Sequence, residues 1–509
     1  MRPGFVHEVD ESTPPLLIHQ GHRAHRQRFP HGTKVVYPPI EPELLPEPMD
    51  ELAGQLAAPL DAAPLAEQLR PGMKLTITFS VGGPRQHSDP RARVIEQVLT
   101  MAAEAGVDDV ELIAANGLQH KLSEGDLHHV VGERVVRSFL GRGALRSHDA
   151  EDREQLVELA RTDRDEPIEV NRRVAESDLV IHVGLVDQQG NDTWNQITTG
   201  LTSTATIDAQ RGLAGVRDGG VGARMATALT GVLPVFAVQV ITAEEPFGPN
   251  LGFLAKREWE WTISDRLAWA GFDKLLRVAS GQVRRGAYQA VGQRGIVAIH
   301  AGDPGAVANA GAEVLRRMHT VSAPAPADVL VVGVAPNTAH NHDQAVDPLI
   351  ANWSVLADSF GAHTGTPALR PGGVVLAFHA LTPRFHANRD AAAADFFTQL
   401  LPADDDEIAA AQERWATDEW YLHLYRNQRG NHGLHPFHLW YATAAARELL
   451  GEVIWVGGDR DSAAKLGARA ATRLSDALEI GAARVGADPS ITYLHSPPRL
   501  VADVAGGQA

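Results

Sequence analysis

Short apolar runs recur along the whole chain, separated by alanine-rich stretches. This alternation restricts the fold to sheets covered by helices. Leu75, Ile77, Phe79 and Val81 alternate with polar residues, which is the period of a strand. A Gly82-Gly83-Pro84 turn follows. Asp89-Pro90 then supplies an N-cap and a first-turn proline for a helix in which Val94, Ile95, Val98 and Leu99 recur at helical spacing. Residues 110–115 read as a buried strand, and the crossover is long enough for a parallel pair. Apolar runs at 179–183, 232–241, 296–299, 329–334, 373–378 and 453–456 repeat the pattern. The expected fold is α/β, two lobes with mainly parallel, helix-covered sheets and a site in the cleft between them.

The expected domains are an extended arm over 1–70, a first lobe over 71–290, and a second lobe over 291–509 that carries a His-rich segment. The arm is rich in Pro, His and Glu, and Pro38-Pro39 and Pro46-Glu47-Pro48 interrupt any helix. The boundary near 290 follows from the glycine- and arginine-rich composition of 282–295.

Composition removes several kinds of chemistry. With 0 cysteines there is no disulfide, thiolate nucleophile, iron–sulfur cluster or Cys-bound zinc, whereas 23 histidines leave a His-bound divalent metal open. A net charge of -17 argues against a nucleic-acid surface. No apolar run reaches the roughly 18 residues that suggest a membrane span, and Met1-Arg2-Pro3-Gly4 does not begin a signal sequence, so a cytoplasmic protein is expected. The expected partner is a small-molecule carboxylate or a nucleotide, and a homo-oligomer is left open.

Several stretches agree in order and spacing with one known family. They are Ser80-Val81-Gly82-Gly83-Pro84-Arg85; Ala115-Asn116-Gly117-Leu118-Gln119-His120; the span from His148-Asp149-Ala150 through Pro167-Ile168-Glu169-Val170-Asn171 to Gly184; Thr206-Ile207-Asp208-Ala209; Gln344-Ala345-Val346; and Pro371-Gly372-Gly373. Together they resemble the nickel-dependent lactate racemase family. The resemblance implies an isomerase, a racemase or epimerase acting on a 2-hydroxy acid or related small carboxylate through a nickel pincer nucleotide. In that family two histidines exchange the hydroxyl proton, a lysine carries the cofactor covalently and a further histidine ligates nickel.

Carried over position by position, the family's first catalytic histidine falls at Gln119, with His120 beside it, and the second falls at Gln189. The lysine-bearing segment is here Gly190-Asn191-Asp192-Thr193-Trp194-Asn195-Gln196, without lysine. The nickel-binding histidine falls at Arg211, the substrate-contacting lysine of the second half falls at Asp347, and its neighbour Gln344 is kept. Glutamine is no general base near neutral pH, and arginine neither ligates nickel nor gives up a proton. The resemblance therefore carries the scaffold further than the chemistry.

The residues suggest their own candidates. Arg85 lies between a strand and a capped helix, where backbone N–H groups and a guanidinium favour an anion. Asn116 and His120 end the next strand and would face the same crevice, joined by Asn195, Gln196 and Arg211. His432, His435 and His438 have a spacing that can serve a metal or a set of packed, capping imidazoles. His340 and His342 form a second pair on a loop after a strand. His148-Asp149 invites a catalytic pairing, although a folding role is the stronger reading. Besides the isomerase, two alternatives stay open: a His-metal lyase or hydrolase on the same scaffold, and a non-catalytic binder of a nucleotide or small acid.

Overall fold

A computed structural model describes residues 1–82, 89–186, 190–243, 249–281, 283–284, 295–323, 325–335, 346–360, 367–496 and 499–504. Two sheets within these residues make the two lobes. The first is a 6-stranded sheet in the order Ile296–Gly302, Val235–Thr242, Leu179–Val186, Lys74–Ser80, Asp109–Ala115, Leu145–Ser147. Its strands pair in parallel, except that Ile296–Gly302 runs antiparallel at the edge. The second is a 7-stranded sheet in the order Phe5–Glu8, Lys34–Tyr37, Ile491–Leu494, Ala327–Gly333, Leu369–Phe378, Glu452–Val456, Arg469–Ala471. Only its first pair is antiparallel.

The apolar runs form the central strands because both faces of each are covered. Alternation along Asp109–Ala115 sends Leu112 and Ala114 into one cluster with Ile77, Phe79, Val94, Ile95 and Val98. Ile113 and Ala115 go to the opposite cluster, with Val180, Ile197 and Leu201. Asp89 caps helix Pro90–Glu104 by accepting the Arg91 N–H, and the Arg91 guanidinium returns to the same carboxylate at 2.6 Å, both side chains buried. Arg91 also donates to the carbonyls of Ser80 and Gly82, which fixes the chain as it leaves the first strand.

Two expectations about organisation differ from the structure. Residues 1–70 are not only an arm laid on the body. Phe5–Glu8 and Lys34–Tyr37 complete the second lobe's sheet, and Lys34–Tyr37 pairs in parallel with Ile491–Leu494 from the far end of the chain. Strands of four residues carry too little periodicity to be read in isolation. The first lobe's sheet also runs past residue 290, because Ile296–Gly302 returns to pair with Val235–Thr242.

A buried carboxylate ties these far-apart segments together. Glu258 accepts from the Leu17 N–H at 2.6 Å, from Tyr37 Oη–H at 2.9 Å and from His495 Nε2 at 2.7 Å. Burial opposes its ionisation, but His495 and the donated hydrogen bonds prevail and hold it below the usual glutamate value. Glu258→Ala is expected to cost about 3–5 kcal/mol, because it leaves a buried imidazole and a phenol without their acceptor. Urea denaturation of the variant against the parent measures this. A loss under 1 kcal/mol would mean that the cluster does not anchor the two ends of the chain.

Candidate functional site

The site begins where two backbones touch. Gly117, just beyond strand Asp109–Ala115, has φ +48, and a Cβ there would lie 2.0 Å from the Thr199 carbonyl oxygen. Its N–H donates to the Gly200 carbonyl at 3.0 Å, and a Cβ on Gly200 would lie 2.7 Å from the Ala115 carbonyl oxygen. Only glycine permits this approach. The second lobe reaches the same point, since Tyr425 Oη donates to the Gly117 carbonyl at 2.7 Å and accepts the Ala150 N–H at 3.0 Å.

Above this contact lies a cavity of about 320 Å³, lined by residues of both lobes. From the first come Ser80, Asn116, Gln119, Leu185, Asn191, Gln196, Thr199, Ile207 and Arg211; from the second come Trp353, His435, His438 and Leu439. It sits at the carboxyl ends of the parallel strands Lys74–Ser80, Asp109–Ala115 and Leu179–Val186, where open α/β sheets place ligands.

The polar groups of this wall fall into two kinds. Gln196 is closed: its Nε2 donates to the carbonyls of Leu185 at 3.2 Å and Asn191 at 3.0 Å. Its Oε1 must then accept, and it does so from His182 Nε2 at 2.8 Å, while His182 Nδ1 takes the Thr78 hydroxyl at 2.9 Å. Burial pushes His182 down to about 4, so it stays neutral as this chain of bonds requires. Asn116 is half open. Its Nδ2 donates to the Gln119 carbonyl at 3.1 Å, and its buried Oδ1 has no hydrogen-bond partner. Arg211 ends helix Thr204–Arg211, and its Nη2 donates to Thr199 Oγ1 at 3.2 Å. Among the described residues no carboxylate pairs with it, and burial lowers its pKa.

Six of the residues singled out from sequence therefore line one cavity: Asn116, Gln119, Gln196, Arg211, His435 and His438. Others do not. His120, expected as a base, is turned to the lobe interface, where its N–H donates to Asn431 Oδ1 at 2.9 Å. Asn195 sits in the first turn of helix Thr193–Gly200, where Asp192 takes its N–H and Thr199 Oγ1 donates to its carbonyl; its side chain is not part of the cavity wall. Asp347 is the buried N-cap of helix Pro348–Trp353 and accepts from Leu349 and Ile350 rather than from a ligand. Burial, reinforced by Asp390, raises it to about 7. Arg85, Gln189, His340, His342 and Gln344 lie outside the described residues.

The His432, His435, His438 series does not assemble as a metal triad. His432 Nδ1 accepts the Leu434 N–H and its Nε2 stands 3.1 Å from Glu151, off the line of a hydrogen bond. His438 Nε2 lies 2.9 Å from Asp208 Oδ1. Each ring is thus drawn to a different carboxylate, and among the described residues no three His, Asp or Glu side chains converge as a metal site. His148 has the folding role: its Nε2 donates to the Thr202 carbonyl, its Nδ1 accepts from Asn171, and Asp149 turns away to Lys121. The residue that sequence reasoning passed over is Asp208. It was visible inside the Thr206–Ala209 motif, but its partner lies 230 positions away.

A two-lobed α/β protein with a polar cavity at the strand ends is the class these features define. Residues 25–195 match the family model of the lactate racemase N-terminal domain. The fold matches the lactate racemase apoprotein from Thermoanaerobacterium thermosaccharolyticum over 96% of this chain and 100% of that one, with a TM-score of 0.59 at 16% identity. A protein from Thermotoga maritima matches over 92% of this chain and 100% of its own, with a TM-score of 0.51 at 12% identity. A comparison with curated proteins gives no match. Residues 25–195 thus resemble a lactate racemase N-terminal domain, and the fold of the chain resembles that of the lactate racemase apoprotein. Among the described residues no helix is long and apolar enough to cross a membrane.

Gly117→Ala is expected to destabilise the protein by about 3 kcal/mol or more, since its Cβ would overlap a rigid carbonyl. Gly219 also has a positive φ, at +68, but open space around it, so Gly219→Ala should cost only about 1 kcal/mol. Equal losses in urea denaturation would show that φ alone, and not the backbone contact, constrains Gly117.

Proposed function

We propose that the cavity binds a small carboxylate of the 2-hydroxy acid type and that the protein is an isomerase of lactate racemase-like descent. The observation that carries this reading is Arg211, a guanidinium facing the cavity with no carboxylate partner among the described residues. A half-buried cation without a counter-charge carries a desolvation cost, and a ligand carboxylate would relieve it through paired N–H···O bonds. Asn116 Oδ1, a buried acceptor left unpaired, suits the donor of an adjacent hydroxyl. A volume near 320 Å³ is at the low end for ligand sites and suits a small acid.

The donor set does not fit the nickel pincer nucleotide of the family. Among the described residues no lysine lines the cavity to carry the group, Gln196 has its amide committed, and Arg211 stands where a ligand should be. A divalent cation about 5 Å from a guanidinium would be disfavoured by on the order of 5 kcal/mol, even at the effective dielectric of a partly solvated site. The reading therefore keeps the substrate class and does not route the reaction through nickel.

Arg211→Met is expected to weaken binding of lactate, malate or mandelate at least tenfold, about 1.4 kcal/mol or more, in isothermal titration calorimetry. Arg211→Lys should recover only part of it, because an ammonium lacks the planar fork. Unchanged affinity in Arg211→Met, or no binding of any of these acids by the parent protein, would defeat the proposal.

A further inference from the structure

Helix Thr204–Arg211 of the first lobe and helix His435–Tyr441 of the second meet at the wall of the cavity. Their meeting pairs His438 with Asp208, Nε2 to Oδ1, at 2.9 Å. Asp208 is itself oriented: Gln412 Nε2 donates to its two oxygens at 2.8 and 2.7 Å, and Gln412 Oε1 accepts from Tyr441 Oη at 3.0 Å. An ionised carboxylate only accepts, so the proton of the imidazole resides on Nε2 and the lone pair on Nδ1. The residue is buried but lines the cavity. This is the arrangement of a base positioned by a third group.

The charged and titratable groups around His438 act in opposite directions. Burial comes first and favours the neutral ring. Asp208 favours the protonated form, whereas Arg211 on the cavity wall and His432 before the helix disfavour it, and His435 stands one turn earlier on the same helix. The net displacement is downward, which leaves a neutral imidazole able to accept a proton.

We propose that His438 is a catalytic residue of this cavity, positioned by Asp208 to take the proton from the α-carbon of a 2-hydroxy carboxylate held at Arg211 and to return it. The inference rests on the reading of Arg211 as the carboxylate site. In the step, the Cα–H bond breaks, the proton passes to His438 Nδ1, and the electron pair moves into the carboxylate to give an enediolate beside the Arg211 guanidinium. Return of the proton to one face of Cα restores the starting acid, and return to the other gives its mirror image. The ring ends neutral in either case, and no oxidant or reductant is consumed. Asp208 touches no substrate and is a positioning residue.

The experiment follows exchange of the Cα hydrogen of L-lactate, L-malate and L-mandelate in deuterium oxide by proton NMR, with calorimetric binding measured on the same samples. The parent protein is expected to exchange at least one of them. His438→Gln, which keeps an amide for Asp208 to accept from, should lose exchange at least about 100-fold while binding stays within about threefold. Asp208→Asn should slow exchange and displace the rising limb of its pH profile to lower pH, because Asp208 favours the protonated ring. A merely structural Asp208 would leave that limb in place. If the parent binds an acid but does not exchange it, or if His438→Gln exchanges like the parent, the proton-transfer role is overturned while the Arg211 site stands. If the parent binds none of the acids, both fall.

Discussion

The cavity exists because two stretches of bare backbone lie against each other. Gly117 and Gly200 let the loop after Asp109–Ala115 meet the end of helix Thr193–Gly200 at a separation no side chain would tolerate. Asn116 emerges on one side of this contact and Thr199 on the other. Asn116 presents its amide to the cavity, and Thr199 carries its hydroxyl to Arg211. Tyr425 reads the same contact from the second lobe, with its single hydroxyl satisfying Gly117 and Ala150 at once. This contact fixes where Asn116 and Thr199 stand relative to each other, and Tyr425 ties the second lobe to it.

Around that constraint the buried polar groups divide by whether their bonds are closed. Thr78, His182 and Gln196 form a chain in which each donor and acceptor is used, as do Asn171, His148 and the Thr202 carbonyl. Closed chains of this kind rigidify a wall and offer a ligand nothing. In the same cavity Asn116 Oδ1 accepts no hydrogen bond and the Arg211 guanidinium, bonded to Thr199, has no carboxylate partner among the described residues. An unmade buried hydrogen bond costs about 1–3 kcal/mol. Among the described residues of the wall, this acceptor and this cation are the groups on which the proposed reading of a small hydroxy acid rests.

The central strands were legible because burial on both faces writes itself as continuous apolar runs, and the Asp89-Pro90 helix start because capping chemistry is local. The edge strands were not, since Lys34–Tyr37 is defined only by its pairing with Ile491–Leu494. The site divides in the same way. Asn116, Gln196 and Arg211 were named by carrying the family's positions onto this sequence, and the fold brings all three to one cavity. His120 stands at the lobe interface instead, because the turn from Asn116 to Gln119 reverses the chain and one position decides between cavity and interface. The histidines of 432–438 looked like one set because they are close in sequence. The carboxylates that separate them, Glu151 and Asp208, come from the other lobe.

Arg211 and His438 line the same cavity and act on each other electrostatically, so on the proposed reading ligand binding and proton affinity become one problem. The guanidinium is part of what keeps the imidazole neutral. On the proposed reading, a carboxylate bound at Arg211 would cancel that field and add negative charge near the ring, so that His438 would attract a proton more strongly once the acid is in place. By reciprocity, a protonated ring favours the bound anion by the same free energy. On that reading an empty cavity would hold a weak base near a cation, and a filled one a stronger base near a neutralised pair. The group that recognises the substrate would in this way also raise the basicity of the group that acts on it, through an electrostatic coupling that needs no movement of either lobe.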